Sequence, residues 1–387
     1  MACSSYKRTR ITDIFIAEQT ACDFESPTVG DVYRLDAGTQ AQATPELIER
    51  DILKGSYTPE ANMVGVKIGN VNGVSEMYGA DYSDGVTRPY FNDLFRASQL
   101  IDETIEEIPV SSITTNFVRG ETVTGTSGVG EVLIDTHQSD PTIIVRVSVP
   151  GFTLETVSGS ISGVAECAGV EVDRGVSYKF DSTATNRLSV RVEEDGQKSE
   201  LYNAVPTLSI TSDDSNIPRL NYDIQGVIVE TSGVAQWSID AEATPNIVRD
   251  QQLPPLFQNA RLKYNTTLPV IDATLSLDLA MGVGARRDAN SVGGIEGFIV
   301  TGRKPMLSYQ MDRPDSATLP IISDWFESAQ VSNSWRFGDK KFNCFYIFAE
   351  GRLQNVQVAD QDGISKFALE FGLTSALDDG ELEILAI

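Results

Sequence analysis

Apolar and polar residues alternate with period two along most of this chain. That pattern restricts the fold to antiparallel sheet with one face buried and one face wet. In "TIIVRVSVPG" Ile143, Val145, Val147 and Val149 share a face. "RLSVRVEEDGQ" aligns Leu188, Val190 and Val192 before a turn at Asp195 and Gly196. "ATLSLDLA" sets Leu275, Leu277 and Leu279 against Ser276 and Asp278, and "KFALEFGL" repeats the pattern with Phe367, Leu369, Phe371 and Leu373. In "ELEILAI" Leu382, Ile384 and Ala386 alternate with Glu381 and Glu383. "KFNCFYIFAEG" is apolar on nearly both faces, which predicts a strand covered on both sides.

Two segments carry helical spacing behind a proline start. "RPYFNDLFRASQ" offers Pro89, then Tyr90, Leu94, Phe95 and Ala97; "LPIISDWFESAQ" offers Pro320, then Ile321, Ile322, Trp325, Phe326 and Ala329. "TPELIERDIL" is ambiguous, since Thr44 suits a cap but the apolar pairs lie five apart. Each helix follows a glycine-rich strand region. The repeat of a β–β–α pattern near each end predicts an internal duplication. The expected organisation is an N-terminal unit over 1–111, an inserted glycine-rich β module over 112–180, and a C-terminal unit over 181–387. A chain of 387 residues is long enough for such a division.

The stretch "FVRGETVTGTSGVGEVLIDT" tests whether the chain holds a nucleotide. A phosphate loop ends in Gly-Lys-Ser/Thr and opens a helix. Here no lysine is present and an alternating strand follows, so the glycines read as turn positions of a hairpin. The other candidates for chemistry are equally bland. Cys3, Cys22, Cys167 and Cys344 form no CxxC pair, and the single histidine, His137, lies in a polar turn with no nucleophile elbow near it. "DSTATN", "SDDSN" and "DQDG" lack the spacing of a calcium loop and read as turns. Trp237, Trp325 and Trp335 are too dispersed for a carbohydrate platform. No catalytic residue, metal or cofactor is expected.

Charge narrows the partners. With 30 basic residues against 55 acidic ones, the net charge of −25 opposes nucleic-acid binding, which needs cations to displace condensed counterions. Solubility alone explains such a surface. So does a surface that DNA must pass without sticking. The apolar runs are far shorter than the ~20 residues of a bilayer span, and "IFIA" is too short for a signal-peptide core, so a soluble cytosolic protein, or a particle assembled in a cytosol, is expected.

Several stretches, taken in order, resemble tail tube (major tail) proteins of long-tailed bacteriophages. They begin with "IERDILKGSYTPEANMVGVKIGNVNGV" and "RPYFNDLFRASQL". They continue through "LSVRVEEDGQKSELYNAVPTLSITSDDSNIPRLNYDIQGVIVE" and "PPLFQNARLKY", then "ATLSLDLAMGVGARRDANSVGGIEGFIVTGRKPMLSYQMDRPD", and close on "DQDGISKFALEFGLTSALDDGELEILAI". "FVRGETVTGTSGVGEVLI" resembles a glycine-rich β module spliced into virion proteins. The likeness runs from about residue 45 to the end; "MACSSYKRTRITDIFIAEQTACDF" has no counterpart in it.

The resemblance implies a mainly β fold of antiparallel tail-tube sheets. Two tube-like units, each with one flanking helix, would join copies into a closed inter-subunit β-barrel. It implies a structural virion protein of the tail, assembled in the bacterial host cytoplasm, whose stacked rings conduct DNA at ejection. Rings of six units would be trimers of two-unit chains or hexamers of one-unit chains. The implied partners are further copies of the chain, the tape-measure, tail-terminator and baseplate or tail-tip proteins, and genomic DNA passing without specific binding. Alternatives are a minor tail or capsid decoration protein, or a β-sandwich surface or adhesion protein. Two stretches are expected at contacts between copies. One is the loop "GVGARRDANSVGGIEG", with Arg286, Arg287, Asp288 and Asn290; the other is the strand "KFNCFYIFAEG", with Phe342, Cys344, Tyr346 and Phe348.

Overall fold

The alternating segments fold into strands, and every strand pair among the described residues is antiparallel. The computed structural model describes residues 11–19, 24–27, 32–33, 39–48, 63–79, 88–136, 142–194, 197–212, 217–231, 234–240, 255–256, 261–269, 271–291, 294–340, 343–361 and 363–387. Within them the molecule is mainly β, with two helices of six residues each.

The first unit opens with β1 (Ile11–Glu18), β2 (Val32–Tyr33) and β3 (Gln40–Ala43). The small pair β4 (Leu47–Ile48) and β5 (Met63–Val64) leads to β6 (Ile68–Glu76) and the helix α1 (Asn92–Ala97). The carbonyl of Pro89 accepts from the Asn92 N–H at 3.0 Å, so the proline opens the turn that leads into the helix. Six residues cannot sustain a helix alone. Packing holds this one: Phe91, Leu94 and Phe95 are fully buried, and the Tyr178 ring meets Phe95 edge-on at 4.9 Å.

After α1 the chain departs as β7 (Leu100–Thr115). It then runs through β8 (Thr122–Thr124), β9 (Val129–Val132), β10 (Thr142–Val149), β11 (Thr156–Gly159) and β12 (Val164–Cys167), and returns as β13 (Val172–Phe180). The C-terminal half of β7 pairs with both β10 and β12. The order β7–β10–β9–β8–β11–β12–β7 is therefore a closed six-stranded antiparallel barrel, which leaves no free edge. Ile108, Val123, Val132, Val145 and Val157 fill it, with Phe117 and Phe152. The glycine-rich stretch is the β8–β9 hairpin, as its lack of lysine predicts. Its glycines make room: a Cβ on Gly128 would stand 2.6 Å from Phe152 Cγ. The barrel takes its strands from Glu106 to Cys167. Of the segment 112–180, the last strand, β13, pairs with β7 and with the chain's final strand.

The first unit then resumes with β14 (Leu188–Glu194), β15 (Gln197–Ser212) and β16 (Pro218–Ile228), followed by the small pair β17 (Glu230–Thr231) and β18 (Val234–Ala235), and β19 (Ile239–Asp240). The second unit comprises β20 (Lys263–Tyr264), β21 (Ile271–Asp278), β22 (Met281–Arg287), β23 (Ile295–Arg303), β24 (Met306–Asp312) and α2 (Ile321–Phe326). It ends with β25 (Val331–Lys340), β26 (Asn343–Gln361), β27 (Ile364–Leu373) and β28 (Leu382–Ala386).

The two units repeat one another strand for strand. The first pairs in the order β1–β14–β15–β16–β6–β3, the second in the order β20–β25–β26–β27–β24–β21. β19 pairs with the start of β15 as β28 pairs with the start of β26. Even the irregularities match. A bulge falls between Tyr202 and Val205 in β15 and between Leu353 and Asn355 in β26. Aligned on it, Val205 opposite Gln225 corresponds to Asn355 opposite Glu370, and Leu201 opposite Ile228 to Gly351 opposite Leu373. Bulges are designed features rather than accidents, so a shared one marks a shared plan. Each helix also ends on a residue with positive φ, Gln99 (61°) and Ser328 (50°). The barrel interrupts only the first unit, between α1 and β14. One hydrophobic core serves both units, joining Ile16, Val71 and Leu208 to Leu277, Tyr309 and Phe371.

An ionic clamp fixes the barrel to this body. Glu383 of β28 is buried and accepts from Arg146 at 2.7 Å and from the Ser177 hydroxyl at 2.9 Å, while Arg119 also pairs with it and Lys179 stands at 3.7 Å. Arg119 and Arg146 belong to the barrel side, Ser177 and Lys179 to β13. Burial works to raise the Glu383 pKa, but the charges of Arg119, Lys179 and Arg146 outweigh it and hold the carboxyl below its ordinary value. The clamp's stabilisation is therefore complete above the unfolded carboxyl's pKa and is lost as pH falls through the lower folded value. Glu383→Gln should cost about 1.5–3 kcal/mol at pH 7, because it removes the buried carboxylate that Arg119 and Arg146 share, while Arg146 keeps Glu103 and Glu131. In thermal melts from pH 7 downward the wild type should lose this advantage in acid, while the variant shows a flatter profile.

Candidate assembly surface

A further pairing, β15 with β21, connects the two units into one eight-stranded sheet in the order β3–β6–β16–β15–β21–β24–β27–β26. Its middle is the joint between units, where β15 meets β21 with Ser209 opposite Asp278 and Ser212 opposite Leu275. Period two gives this sheet two unlike faces. Leu208, Ile210, Leu220, Leu275, Leu307 and Leu369 face the core. On the other face stand Asn70 and Asn72 of β6, Asn221 and Gln225 of β16, Ser276 of β21, Ser308 and Gln310 of β24, and Gln357 of β26, all exposed or half-buried. The ionisable groups on the same side are Glu76, Asp223, Asp278, Asp312 and Glu370 against Arg219 and Lys366, of which Lys366 is buried. A wide sheet face rich in hydroxyls and amides, with a modest acidic excess, is well hydrated and offers few cations to an anionic partner.

Both ends of this sheet are open among the described residues. β3 pairs only with β6. The Thr44 N–H donates to the Ile68 carbonyl at 2.7 Å, and antiparallel alternation then turns the backbone groups of Ala41 and Ala43 away from β6. At the other end, β26 from Asn355 to Gln361 pairs only with β27. The Leu373 N–H donates to the Pro305 carbonyl at 2.9 Å, which fixes the alternation in β27 and leaves the backbone groups of Val356, Val358 and Asp360 pointing outward. The consequence is visible in burial. Leu208 of β15 is 2% exposed beside β21, whereas Val358, its counterpart in β26, is 64% exposed. Each helix meets its long strand just ahead of this edge: the Ser98 hydroxyl donates to the Pro206 carbonyl at 3.4 Å, and Trp325 Nε1 donates to the Gln354 carbonyl at 3.2 Å.

The residues expected at contacts between copies lie away from these two open edges. Arg286, Arg287, Asp288 and Asn290 belong to the β22–β23 hairpin and the turn that closes it. Arg286 pairs with Glu296 at 2.8 Å and Arg287 with Glu46 at 3.3 Å, both within this chain. The Asp288 carboxylate accepts the Asn290 N–H at 2.9 Å and shapes the turn. Cys344, Tyr346 and Phe348 lie on β26, but on its first half, away from the open edge. Tyr346 and Phe348 stack with rings 7° from parallel and pack on Ile105, Leu133, Ile144, Leu385 and Ile387, while the Arg119 guanidinium lies 4.0 Å from the Phe348 ring centre. The strand is covered on both faces, as its composition predicts, and here the cover is the barrel and the terminal strand of the same chain. Cys344 is buried. Phe342, like His137, Cys3 and Cys22, lies outside the described residues.

The open edges themselves escaped sequence reasoning. "TQAQAT" and "NVQVAD" do alternate, but alternation announces a strand and says nothing of which edge is left unpaired. No protein-family model matches the chain, and no curated protein matches it. Among the described residues no three His, Cys, Asp or Glu side chains are grouped to hold a metal, and no helix is long and apolar enough to cross a membrane.

An edge without a partner should exchange its amide protons. In separated chains the Val358 and Asp360 amides should exchange at nearly unprotected rates. The Ile210 amide, which matches Asp360, and the neighbouring Ser212 amide both lie opposite β21 and should be slowed by roughly 10³ or more, as expected for strands buried in a stable core. Hydrogen exchange read by NMR or mass spectrometry checks the contrast.

Proposed function

We propose that this chain is the structural subunit of a hollow tube, the tail tube of a long-tailed bacteriophage, built by closing copies of the eight-stranded sheet into rings and stacking the rings. The observation that supports the reading best is the pair of open edges on a sheet whose two halves repeat one another. A sheet edge is a row of unpaired donors and acceptors, and joining edge to edge among identical chains removes every such row only when the ring closes. Such a contact is heterologous and limited by closure, while stacking is a second contact that sets length.

Two units per chain make a ring of three chains with pseudo-sixfold symmetry. Three sheets supply about 24 strands; at ~4.8 Å spacing and roughly 40° tilt they close at a backbone width of about 48 Å. Side chains narrow that to a bore that still admits a nucleic-acid duplex. The hydroxyl- and amide-rich face of the sheet becomes the wall of the bore. Its few cations leave DNA without the counterion release that binding requires, so the genome slides. Further partners in this reading are the tape-measure, tail-terminator and baseplate or tail-tip proteins, with assembly in the bacterial host cytoplasm. No catalytic group is assigned.

Negative-stain microscopy of the concentrated protein should show rings or tubes with a central bore; dispersed monomers at high concentration would overturn the reading. Val358→Asp provides a sharper test. Val358 is exposed in the single chain, so stability should change by no more than about 0.5 kcal/mol. Ring formation, followed by sedimentation velocity, should be lost, because the introduced carboxylate would be buried without a partner at the closing edge.

A further inference from the structure

We infer that the contact between copies is a register-for-register copy of the contact between the two units within one chain: Ala359 of one copy stands opposite Thr44 of the next, and Asp360 stands opposite Ala43. The inference rests on the reading of the chain as ring-forming, and it adds which strands meet and in what alignment.

Three features of the chain agree on it. The first is the duplication. β15 and β26 match through their shared bulge, so Ser209 and Ile210 correspond to Ala359 and Asp360. β21 and β3 match through their partners. Leu277 opposite Leu307 and Asp278 opposite Met306 in the second unit correspond to Ala43 opposite Gly69 and Thr44 opposite Ile68 in the first. Within the chain Ser209 stands opposite Asp278 and Ile210 opposite Leu277. Carrying that joint across to the open edges sets Ala359 against Thr44 and Asp360 against Ala43.

The second feature is hydrogen-bond parity, which the duplication argument does not use. An antiparallel pair exchanges two bonds only where both residues turn their backbone groups to the shared side. On β3 the residues whose groups face outward are Ala41 and Ala43, because Thr44 is bonded to Ile68. On β26 they are Val356, Val358 and Asp360, because the intervening residues are bonded to β27. Asp360 opposite Ala43 brings two outward-facing residues together. A slip of one residue would set an outward-facing residue against one already bonded to its own chain.

The third feature is face. Opposite residues share a side of the sheet, and a one-residue slip reverses every side chain. In the proposed alignment Thr44 and Ala359 both belong to the polar face. Ala41 and Ala43 of β3 pack against the core, and the exposed Val358 of β26 has Leu208 as its counterpart there. The joint also has a built-in end. Inside the chain the Leu279 N–H donates to the Leu208 carbonyl at 3.1 Å; at the matching place between copies stands Pro45, which has no N–H to give.

Disulfide trapping distinguishes this alignment from its rivals. In a background with Cys3→Ser and Cys22→Ser, Ala359→Cys is combined with Thr44→Cys. These two positions form the non-hydrogen-bonded pair, whose α-carbons lie about 4.5 Å apart, within reach of a disulfide. The control combines Ala359→Cys with Gln42→Cys on the same face two residues along, where the separation is roughly 8 Å and no disulfide forms without backbone movement. Mild oxidation should convert the first double variant into covalent dimers and closed trimers on a non-reducing gel, with the control left as monomer. Rings that form normally, yet cross-link only in the control or in neither variant, overturn the register while leaving the tube reading intact. A chain that never assembles under any condition overturns both.

Discussion

The pairing of β15 with β21 is the contact on which the rest of the architecture depends. It is short, running from Ser209 to Ser212, yet it alone joins the eight-stranded sheet across the boundary between units. Its strength comes from what lies beneath it. Ile210 and Leu277 are buried on the core face, so backbone bonds form where water has already been removed and cannot compete. Without that joint each half would end in two open edges rather than one, and the common core would lose the sheet that covers it.

Much of the fold was legible in the amino-acid order because its determinants are local. Alternation at Leu275–Leu279 and Phe367–Leu373 fixes strand and face together. Pro89 and Pro320 mark the helix starts, and the absence of lysine settles the glycine-rich hairpin. The duplication was legible only in outline, through two β–β–α patterns. Its decisive marks, the bulges and the positive φ after each helix, involve Asn203, Gln99 and Ser328, none of them a glycine, so no residue type announces them. The surface was least legible of all. Tyr346 and Phe348 carry the composition of an interface, and they do cover one, but it is the seat of the barrel on its own chain. Arg286 and Arg287 likewise find Glu296 and Glu46 nearby. Composition reports that a side chain will be covered; it does not report by whom.

The charge distribution also separates from the overall count. A net charge of −25 suggests a densely acidic sheet, yet the exposed face of the eight strands is carried mainly by Asn, Gln, Ser and Thr, with Arg219 among the carboxylates. Part of the acidity is spent inside the fold. Glu121 is buried at the barrel end and accepts N–H bonds from Val118, Ile161, Ser162 and Gly163; burial favours its neutral form, but those donors outweigh it and lower its pKa. Glu383 holds the clamp. A hydrated face with a modest acidic excess differs physically from a densely charged one: it offers a polyanion few cations to bind and only weak repulsion.

The two halves differ where the internal joint and the open edges must differ. Inside the chain the core-facing pair is Ile210 with Leu277; at the open edges the same positions hold Asp360 and Ala43. A charge on an edge strand is a recognised guard against uncontrolled pairing, and an alanine offers little apolar area. The internal joint can therefore form with the folding of the chain, as part of its core. A joint between copies would gain little from side-chain burial at that pair and would rely on backbone bonds and on completing the ring. In a ring of such copies, weak single joints would make assembly all or none, because an open arc bears two unpaired edges and a closed one bears none.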